Sequence, residues 1–239
     1  MTRLIAILFS IWLAATPAYA QYFGQNKVRY KSYDFKVLKT DHFDIHYYDE
    51  HAEAAVVFGR MAERWNTRLS EILGHELSSR QPIILYASHT DFRGTTVLPD
   101  YIGETTGGVT EGLRRRIVMP LSGPLGDTDH VLGHELVHAF QFDMSSRMSS
   151  LGGSGLPASL MLPLWFVEGM AEYLSVGATD PHTAMWMQDA VKRDDLPPIS
   201  KLDDSKYFPY RWGQAFWSYV AGRYGDEAVA NILKAAARS

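Results

Sequence analysis

The periodicity of apolar residues changes near residue 50, and this change constrains the fold more than any other feature. In residues 43–48, Phe43, Ile45 and Tyr47 alternate with more polar neighbours, the period of two that predicts a half-buried strand. From about residue 50 to residue 73 the apolar positions recur every four residues: Val57, Met61, Trp65, Leu69 and Leu73. That spacing predicts a long amphipathic helix ending at Gly74.

The other elements predicted from the sequence divide in the same way. Strand-like apolar runs occupy residues 82–86 and 116–119, and a short edge strand is predicted around residues 108–110 within a Thr- and Gly-rich stretch. Helical patterns follow at about residues 127–144, 163–174, 183–193, 211–223 and 226–237. Asp127, Thr128 and Asp129 are candidate caps for the first of these helices, and Pro163 suits the first turn of the second. A Ser-, Gly- and Met-rich stretch over residues 145–157 predicts a flexible linker or lid between those two helices. Early strands and late helices predict an α+β fold, with a small mixed sheet preceding a mainly helical C-terminal half.

The composition excludes several kinds of metal site and binding partner. The 239 residues include no cysteine, so any metal must be bound through nitrogen and oxygen. The formal net charge is −4, with acidic and basic residues intermixed. The one cationic run, Arg114 to Arg116, is interpreted as a strand or loop feature, and no nucleic-acid partner is expected.

The N-terminus carries the pattern of an export signal. Arg3 precedes an apolar run from Leu4 to Ala15, and Ala18 and Ala20 form a small-x-small cleavage site. We therefore predict a signal peptide over residues 1–20, a single domain over residues 21–239, and a periplasmic or secreted location. The alternative is an uncleaved amphipathic anchor, but the run is shorter than the roughly 20 apolar residues that span a bilayer. No other stretch is apolar enough to predict a stable membrane span.

Residues 134–138 read His-Glu-Leu-Val-His, a HExxH motif within a predicted amphipathic helix. Because one helical turn separates His134 from His138, both imidazoles project from the same face and can bind one ion. Glu135 then points toward a water on the open side of that ion. A HExxH pattern also arises by chance, but its position within a predicted amphipathic helix favours a metal site over a chance match.

A hydrolytic zinc site needs a third protein ligand and one open position. Glu168 is the best candidate, because it lies on a predicted helix among Trp165, Phe166 and Met170, where an unpaired carboxylate is costly. Glu172, one turn later, is predicted to accept the second ring N–H of a ligating histidine. The alternative is that both glutamates are solvated helix charges.

The pair HELVHAFQ (134–141) and WFVEGMAEYLS (165–175) resembles the gluzincins, zincin metallopeptidases whose third ligand is a helical glutamate after HExxH. It is most similar to the peptidase MA-like domain near the N-terminus of exported bacterial proteins, often ahead of a Tol-type β-propeller. The resemblance implies a zincin-like fold, a Zn²⁺ cofactor, peptidase activity and a possible C-terminal β-propeller domain or partner. A C-terminal propeller would make this chain the N-terminal part of a longer protein. Two departures are a longer interval between His138 and Glu168 and the absence of propeller repeats.

The resemblance implies hydrolysis of a peptide or protein substrate by metal-activated water, with Glu135 as general base. By residue type alone, three side chains are candidate donors to the oxyanion: Tyr210, His182 and Arg211. The strand over residues 116–119 is predicted to be an edge that pairs with substrate, its arginines favouring acidic peptides. His130 is expected to support the site or lie on the surface. The alternatives are a catalytically silent gluzincin-like binding module for a C-terminal domain, and a zinc hydrolase of non-peptide amides.

Overall fold

The computed structural model describes residues 31–98, 101–149 and 161–236. A five-stranded mixed sheet has the strand order β1-β2-β3-β5-β4. Strand β2 runs parallel to β3 and β3 parallel to β5, whereas the two outer pairs are antiparallel. The strands are β1 (Phe35–Lys39), β2 (Phe43–Tyr48), β3 (Gln81–Tyr86), β4 (Val109–Glu111) and β5 (Arg116–Pro120). The signal peptide predicted over residues 1–20 lies outside the described residues.

Seven α-helices occupy the described residues, and most of them follow the sheet. They are α1 (Ala52–Leu73), α2 (His89–Arg93), α3 (Leu125–Ser149), α4 (Leu164–Val176), α5 (Pro181–Lys192), α6 (Pro209–Tyr224) and α7 (Asp226–Ala236). The prediction of a mixed sheet followed by a mainly helical half is confirmed at this level.

Two short elements, β1 and α2, were not predicted. Strand β1 is mostly exposed along its length and forms a hairpin with β2, so its sequence has no buried alternation to detect. Helix α2 begins where the Ser88 side chain accepts a hydrogen bond from the backbone N–H of Asp91. Such a single turn carries too few residues for a periodic signal.

The boundaries predicted for α3 were wrong at both ends. The helix begins at Leu125, ahead of the three predicted caps, and continues to Ser149 through part of the predicted linker. Thr128 instead hydrogen-bonds both backbone groups of Ser122, and Asp129 accepts from Arg64 and from the indole of Trp65. Two of the three candidate caps, Thr128 and Asp129, therefore contact residues outside the helix, and the remaining linker residues lie outside the described chain.

Helix α3 crosses the molecule between the sheet and α4. Its apolar face is fully buried and consists of Leu132, Leu136, Val137 and Phe140. These side chains join one core with α1 and with the inward residues of β2, β3 and β5. Burial of that face fixes the rotation of α3, so the opposite histidine-bearing face turns toward α4 and α6.

The prediction that residues 116–119 form an edge strand was wrong. Strand β5 lies between β3 and β4, so β4 is the edge strand next to α3, and the edge strand predicted around residues 108–110 is confirmed. The three arginines are also engaged within the protein. Arg114 and Arg116 bind Glu111 and the carbonyl of Val97, while Arg115 binds Asp143 and Ser78. They therefore give no support to a site for acidic peptides.

Helices α4 and α6 cross at two glycines, in closer contact than any side chain would permit. A Cβ atom on Gly169 would lie 2.2 Å from the Cα of Gly213, and one on Gly213 would lie 2.0 Å from the carbonyl oxygen of Trp165. The contact brings the start of α6 against the part of α4 that carries Glu168. No helix among the described residues is long and apolar enough to cross a membrane.

Candidate metal centre

Three side-chain atoms predicted to bind metal converge at the surface of α3. The Nε2 atom of His134 lies 3.1 Å from Oε2 of Glu168 and 3.1 Å from Nε2 of His138. The third side of the triangle, from His138 Nε2 to Glu168 Oε2, is 3.3 Å. The structure thus brings together side chains from α3 and α4, two helices between which residues 150–160 are outside the described chain.

This triangle has the dimensions of a zinc-binding face. Zinc bonded to nitrogen and oxygen at about 2.0–2.1 Å with tetrahedral angles separates its ligand atoms by about 3.3 Å. The three side chains are only 11%, 12% and 15% exposed, so the group is shielded from bulk water. Two imidazoles and one carboxylate are also ligands of the type that zinc accepts, and three protein ligands leave one position open.

Glu172 fixes the ring of His134 from the other side. Its Oε1 atom lies 3.1 Å from Nδ1 of His134 and 3.2 Å from Nε2 of His130. Its Oε2 atom accepts a 3.1 Å hydrogen bond from Arg211, which also donates to Asp180. A carboxylate that accepts from Nδ1 leaves the Nε2 lone pair of His134 directed at the triangle.

His130, His134 and Glu172 form a second group with potential metal-binding atoms. The Arg211 guanidinium, 3.1 Å from Glu172, makes this group unsuitable for a cation. We therefore interpret this group as support for His134.

The ring of His138 is held by a residue that sequence reasoning missed. Its Nδ1 atom lies 2.9 Å from Oε1 of Gln141, whose amide nitrogen donates to the carbonyl of Val167. Gln141 is buried and thereby connects α3 to the turn of α4 next to Glu168. The sequence could have predicted this contact, because Gln141 follows His138 by three residues and such residues are neighbours on a helix.

Glu135 is held by the edge strand β4 and by the residues before it. The hydroxyl of Thr110 lies 2.5 Å from Oε2 of Glu135 and 2.9 Å from its backbone carbonyl. A Cβ atom on Gly108 would come within 2.8 Å of the Glu135 side chain, so a larger residue there would displace that side chain. Neither contact was predicted, because sheet pairing alone determines which strand lies over α3.

The three candidate oxyanion donors have different surroundings. The ring of Tyr210 stacks on His134 with 5.8 Å between centroids, and its hydroxyl is hydrogen-bonded to Glu168. Burial and the charge of Glu168 raise the pKa of Tyr210, so its hydroxyl keeps its proton. Arg211 is committed to Glu172 and Asp180, and His182 lies exposed on α5. Of the three, the structure places only Tyr210 beside the ligand triangle.

The electrostatics of the centre are those of a coupled acid–imidazole group. Burial opposes charge on His134, but its hydrogen bonds to Glu168 and Glu172 outweigh that effect and raise the pKa of His134 to about 10. Burial likewise opposes ionisation of the two glutamates. Their histidine partners nevertheless lower the pKa of Glu168, and lower the pKa of Glu172 to about 2. The carboxylates are therefore ionised at neutral pH and pair with a protonated His134, so a cation that binds here must displace that proton.

The centre opens into a cleft with two arms. One cavity, of about 390 Å³, extends past His138 toward the start of α4. The other, of about 420 Å³, extends past His130 and is covered by residues 105–108. Both cavities are lined by Gly108, His134, Glu135 and Tyr210, so the candidate metal centre lies at their junction.

No family model matched the chain, and no curated protein sequence matched it. The resemblance to gluzincins carried by residues 134–141 and 165–175 therefore stays a prediction.

Proposed function

We propose that the protein is a zinc-dependent peptidase of the gluzincin type with a zincin-like fold. His134, His138 and Glu168 would hold Zn²⁺, and Glu135 would act as general base in the hydrolysis of peptide bonds. The observation that carries the proposal is the triangle of ligand atoms, 3.1–3.3 Å on a side, at the base of a cleft that Glu135 also lines.

The surroundings of each ligand support a metal site over a cluster of structural ion pairs. Glu172 and Gln141 each contact the Nδ1 atom of one histidine, so both Nε2 atoms face the same point. Carboxylate or amide partners on the outer nitrogen are the usual means of orienting metal-binding imidazoles. A purely structural ion-pair cluster has no need of that convergence.

The proposed chemistry divides between the metal and the chain. Zinc at this position would supply a Lewis acid that polarises the scissile carbonyl and acidifies the attacking water. Glu135 accepts the proton of that water and passes it to the departing amine. Thr110 keeps the Glu135 carboxylate in place, and the hydroxyl of Tyr210 would turn from Glu168 to donate to the developing oxyanion.

Glu135 also favours an enzyme over a silent binding module. A metal site that serves only structure needs no general base beside an open cleft. Export through a signal peptide over residues 1–20 and a C-terminal β-propeller partner belong to the same proposal. The export part is tested by sequencing the N-terminus of the mature protein, which we expect to begin at Gln21.

The first experiment is metal analysis of the purified protein, followed by mass-spectrometric detection of cleavage in a general peptide library. We expect one zinc per chain and cleavage that a chelator abolishes. Glu168→Ala should lose zinc at low free zinc, because two imidazoles alone bind it weakly. Glu135→Gln should retain zinc and lose most hydrolysis. Glu71→Gln, at an exposed position on α1, is the matched control and should resemble wild type.

Two results would contradict the proposal in different ways. Stoichiometric zinc in a protein that cleaves no peptide would favour the silent binding module. Absence of zinc from the wild-type protein, even after incubation with the metal, would contradict both the zinc peptidase and the silent zinc-binding module.

A further inference from the structure

A separate cavity lies between α5 and the start of α6 and shares no lining residue with the two cavities at the candidate metal centre. Its volume is about 430 Å³, and its lining includes the aromatic side chains of Trp186, Tyr207 and Trp212. We call it the aromatic cavity. Trp186 is 39% exposed, although tryptophan is on average a highly buried residue. Aromatic surface that folding leaves in contact with water is characteristic of binding sites.

The rings of the aromatic cavity are held in place by their neighbours. Trp212 packs edge-to-face against Tyr207 with 5.0 Å between ring centroids, and both side chains pack against the main core. Trp186 packs against Phe208, which lies outside the cavity, with 5.7 Å between centroids. A ligand would therefore meet a preformed surface and would not have to order these side chains when it binds.

Two indole N–H groups of the aromatic cavity are available to a ligand. The indole N–H groups of Trp65 and Trp217 donate to oxygen atoms of the protein. Among the described residues, those of Trp186 and Trp212 have no such acceptor. Each can thus donate a hydrogen bond to an oxygen atom of a bound molecule.

The charged side chains that line the aromatic cavity form two exposed ion pairs whose charges cancel. The Nε atom of Arg193 donates to Oδ1 of Asp189 at 3.0 Å. The Nζ atom of Lys206 lies 2.7 Å and 2.6 Å from the two carboxylate oxygens of Asp195. A guanidinium has further N–H donors and a carboxylate has further lone pairs. The rim can therefore donate to a ligand and accept from it while both ion pairs stay intact.

A charged ligand and a purely apolar ligand both fit this arrangement poorly. The ammonium group of Lys206 already lies 5.3 Å from the centroid of the Tyr207 ring, where it would repel a second cation. An anion would face the carboxylates of Asp189 and Asp195, and would have to draw a cation out of its ion pair. A purely apolar molecule would cover these polar groups without giving them hydrogen bonds. The ligand that fits is neutral, with an apolar face and a hydrogen-bonding edge.

A pyranose sugar has this combination, because C–H groups cover its faces and hydroxyl groups surround its edge. We propose that the aromatic cavity binds a neutral oligosaccharide, with a sugar ring against Trp186 and Trp212 and its hydroxyl groups hydrogen-bonded to the two ion pairs. An adjoining cavity of about 510 Å³ shares Trp186, Lys206 and Tyr207 with it and provides room for a second sugar unit. This binding function is additional to the proposed peptidase activity and does not depend on it.

The test is an NMR titration of the isotope-labelled full chain that follows the indole N–H resonances of Trp186 and Trp212. The neutral probes are cellotriose, maltotriose, xylotriose, mannotriose and tri-N-acetylchitotriose, each added to about 20 mM. We expect at least one of them to shift both resonances, with a Kd of about 0.1–5 mM. The cationic chitosan trimer and the anionic sugar N-acetylneuraminic acid should bind at least about tenfold more weakly than that neutral probe.

Substitutions locate the binding site. Trp186→Ala should lower the affinity for the neutral probe about tenfold because the sugar ring loses its aromatic surface, and Trp186→Phe should lower it less. Arg193→Met, at an exposed position, should lower the affinity about threefold to tenfold by removing hydrogen-bond donors from the rim. Tyr219→Ala is the matched control, because it removes an aromatic side chain that is 65% exposed on α6 and lines neither cavity. It should bind the neutral probe as wild type does.

Three results would overturn the proposal. The first is that none of the neutral trisaccharides shifts either indole resonance. The second is that a charged sugar binds as tightly as the best neutral one. The third is wild-type affinity in Trp186→Ala or in Arg193→Met, which would place the binding of sugar elsewhere on the protein. Since the assay measures neither zinc nor hydrolysis, each of these results would leave the proposed peptidase function standing.

Discussion

Replacing Gly213 by alanine perturbs the contact that holds α6 against α4. A Cβ atom at this position would lie 2.0 Å from the carbonyl oxygen of Trp165 and 2.6 Å from the Cα atom of Gly169. Both contacts are to backbone atoms, so a side-chain rotation cannot relieve them. Since real Cβ atoms stay beyond 3.0 Å, the helices must separate by about 1 Å.

That displacement determines the expected loss in the free energy of unfolding. Overpacking of a buried contact lowers the free energy of unfolding by about 1–3 kcal/mol. For a chain of this size, each kcal/mol corresponds to a fall of about 2–4 °C in Tm. The displacement also carries Tyr210 and Arg211 away from α4, so zinc affinity should fall together with stability.

Gly222→Ala is the control within the same helix. Gly222 lies on the exposed side of α6 and an added Cβ atom would meet nothing within 4 Å. Alanine there should raise the free energy of unfolding by about 0.5–1 kcal/mol, because glycine loses more conformational freedom when the helix forms. The two substitutions are chemically identical and should have opposite signs.

The assay is thermal and chemical denaturation of the metal-free proteins, followed by zinc titration against a competing chelator. A Gly213→Ala protein as stable as Gly222→Ala, with wild-type zinc affinity, would refute the reasoning. It would mean that the close approach of α4 and α6 is not required for the centre.

The other predictions concern the candidate centre itself. Thr110→Val should leave the zinc content unchanged and act mainly on kcat rather than KM, because Glu135 loses the hydroxyl that holds it. Thr110→Ser should restore activity, and equal rates for the two variants would contradict this role. Arg211→Met should weaken zinc binding about tenfold to a hundredfold in a chelator competition by freeing Glu172, and unchanged affinity would show that Glu172 is held adequately without it. The metal-free protein gains stability from protonated His134, a contribution present below its ordinary pKa of 6.5 and lost as pH rises through about 10. Ionised Glu172 contributes above its ordinary pKa of 4.5, and that contribution is lost as pH falls toward about 2. Because zinc competes with the proton on His134, the rise in Tm on adding zinc should be larger at about pH 8 than at about pH 5.5, and an equal rise at both would count against a shared site.

The sequence by itself determined the local part of the candidate centre. The spacing of His134 and His138 places both rings on one face of any α-helix, whatever surrounds it. The apolar neighbours of Glu168 indicated a carboxylate that needs a partner. The periodicity of each segment likewise predicted the early strands and the later helices, because burial on one face leaves a repeating pattern in each segment.

Only the tertiary structure decided what surrounds those residues. Thr110 reaches Glu135 across 25 positions of the chain, and Arg211 reaches Glu172 across 39. A pattern within one segment carries no information about which distant segment packs against it. The strand order that makes β4 the edge, and the glycine contact that fixes α6, depend on such pairings. The sequence thus specified the face that offers the ligands, whereas long-range packing set their orientation and the chemistry of the cleft.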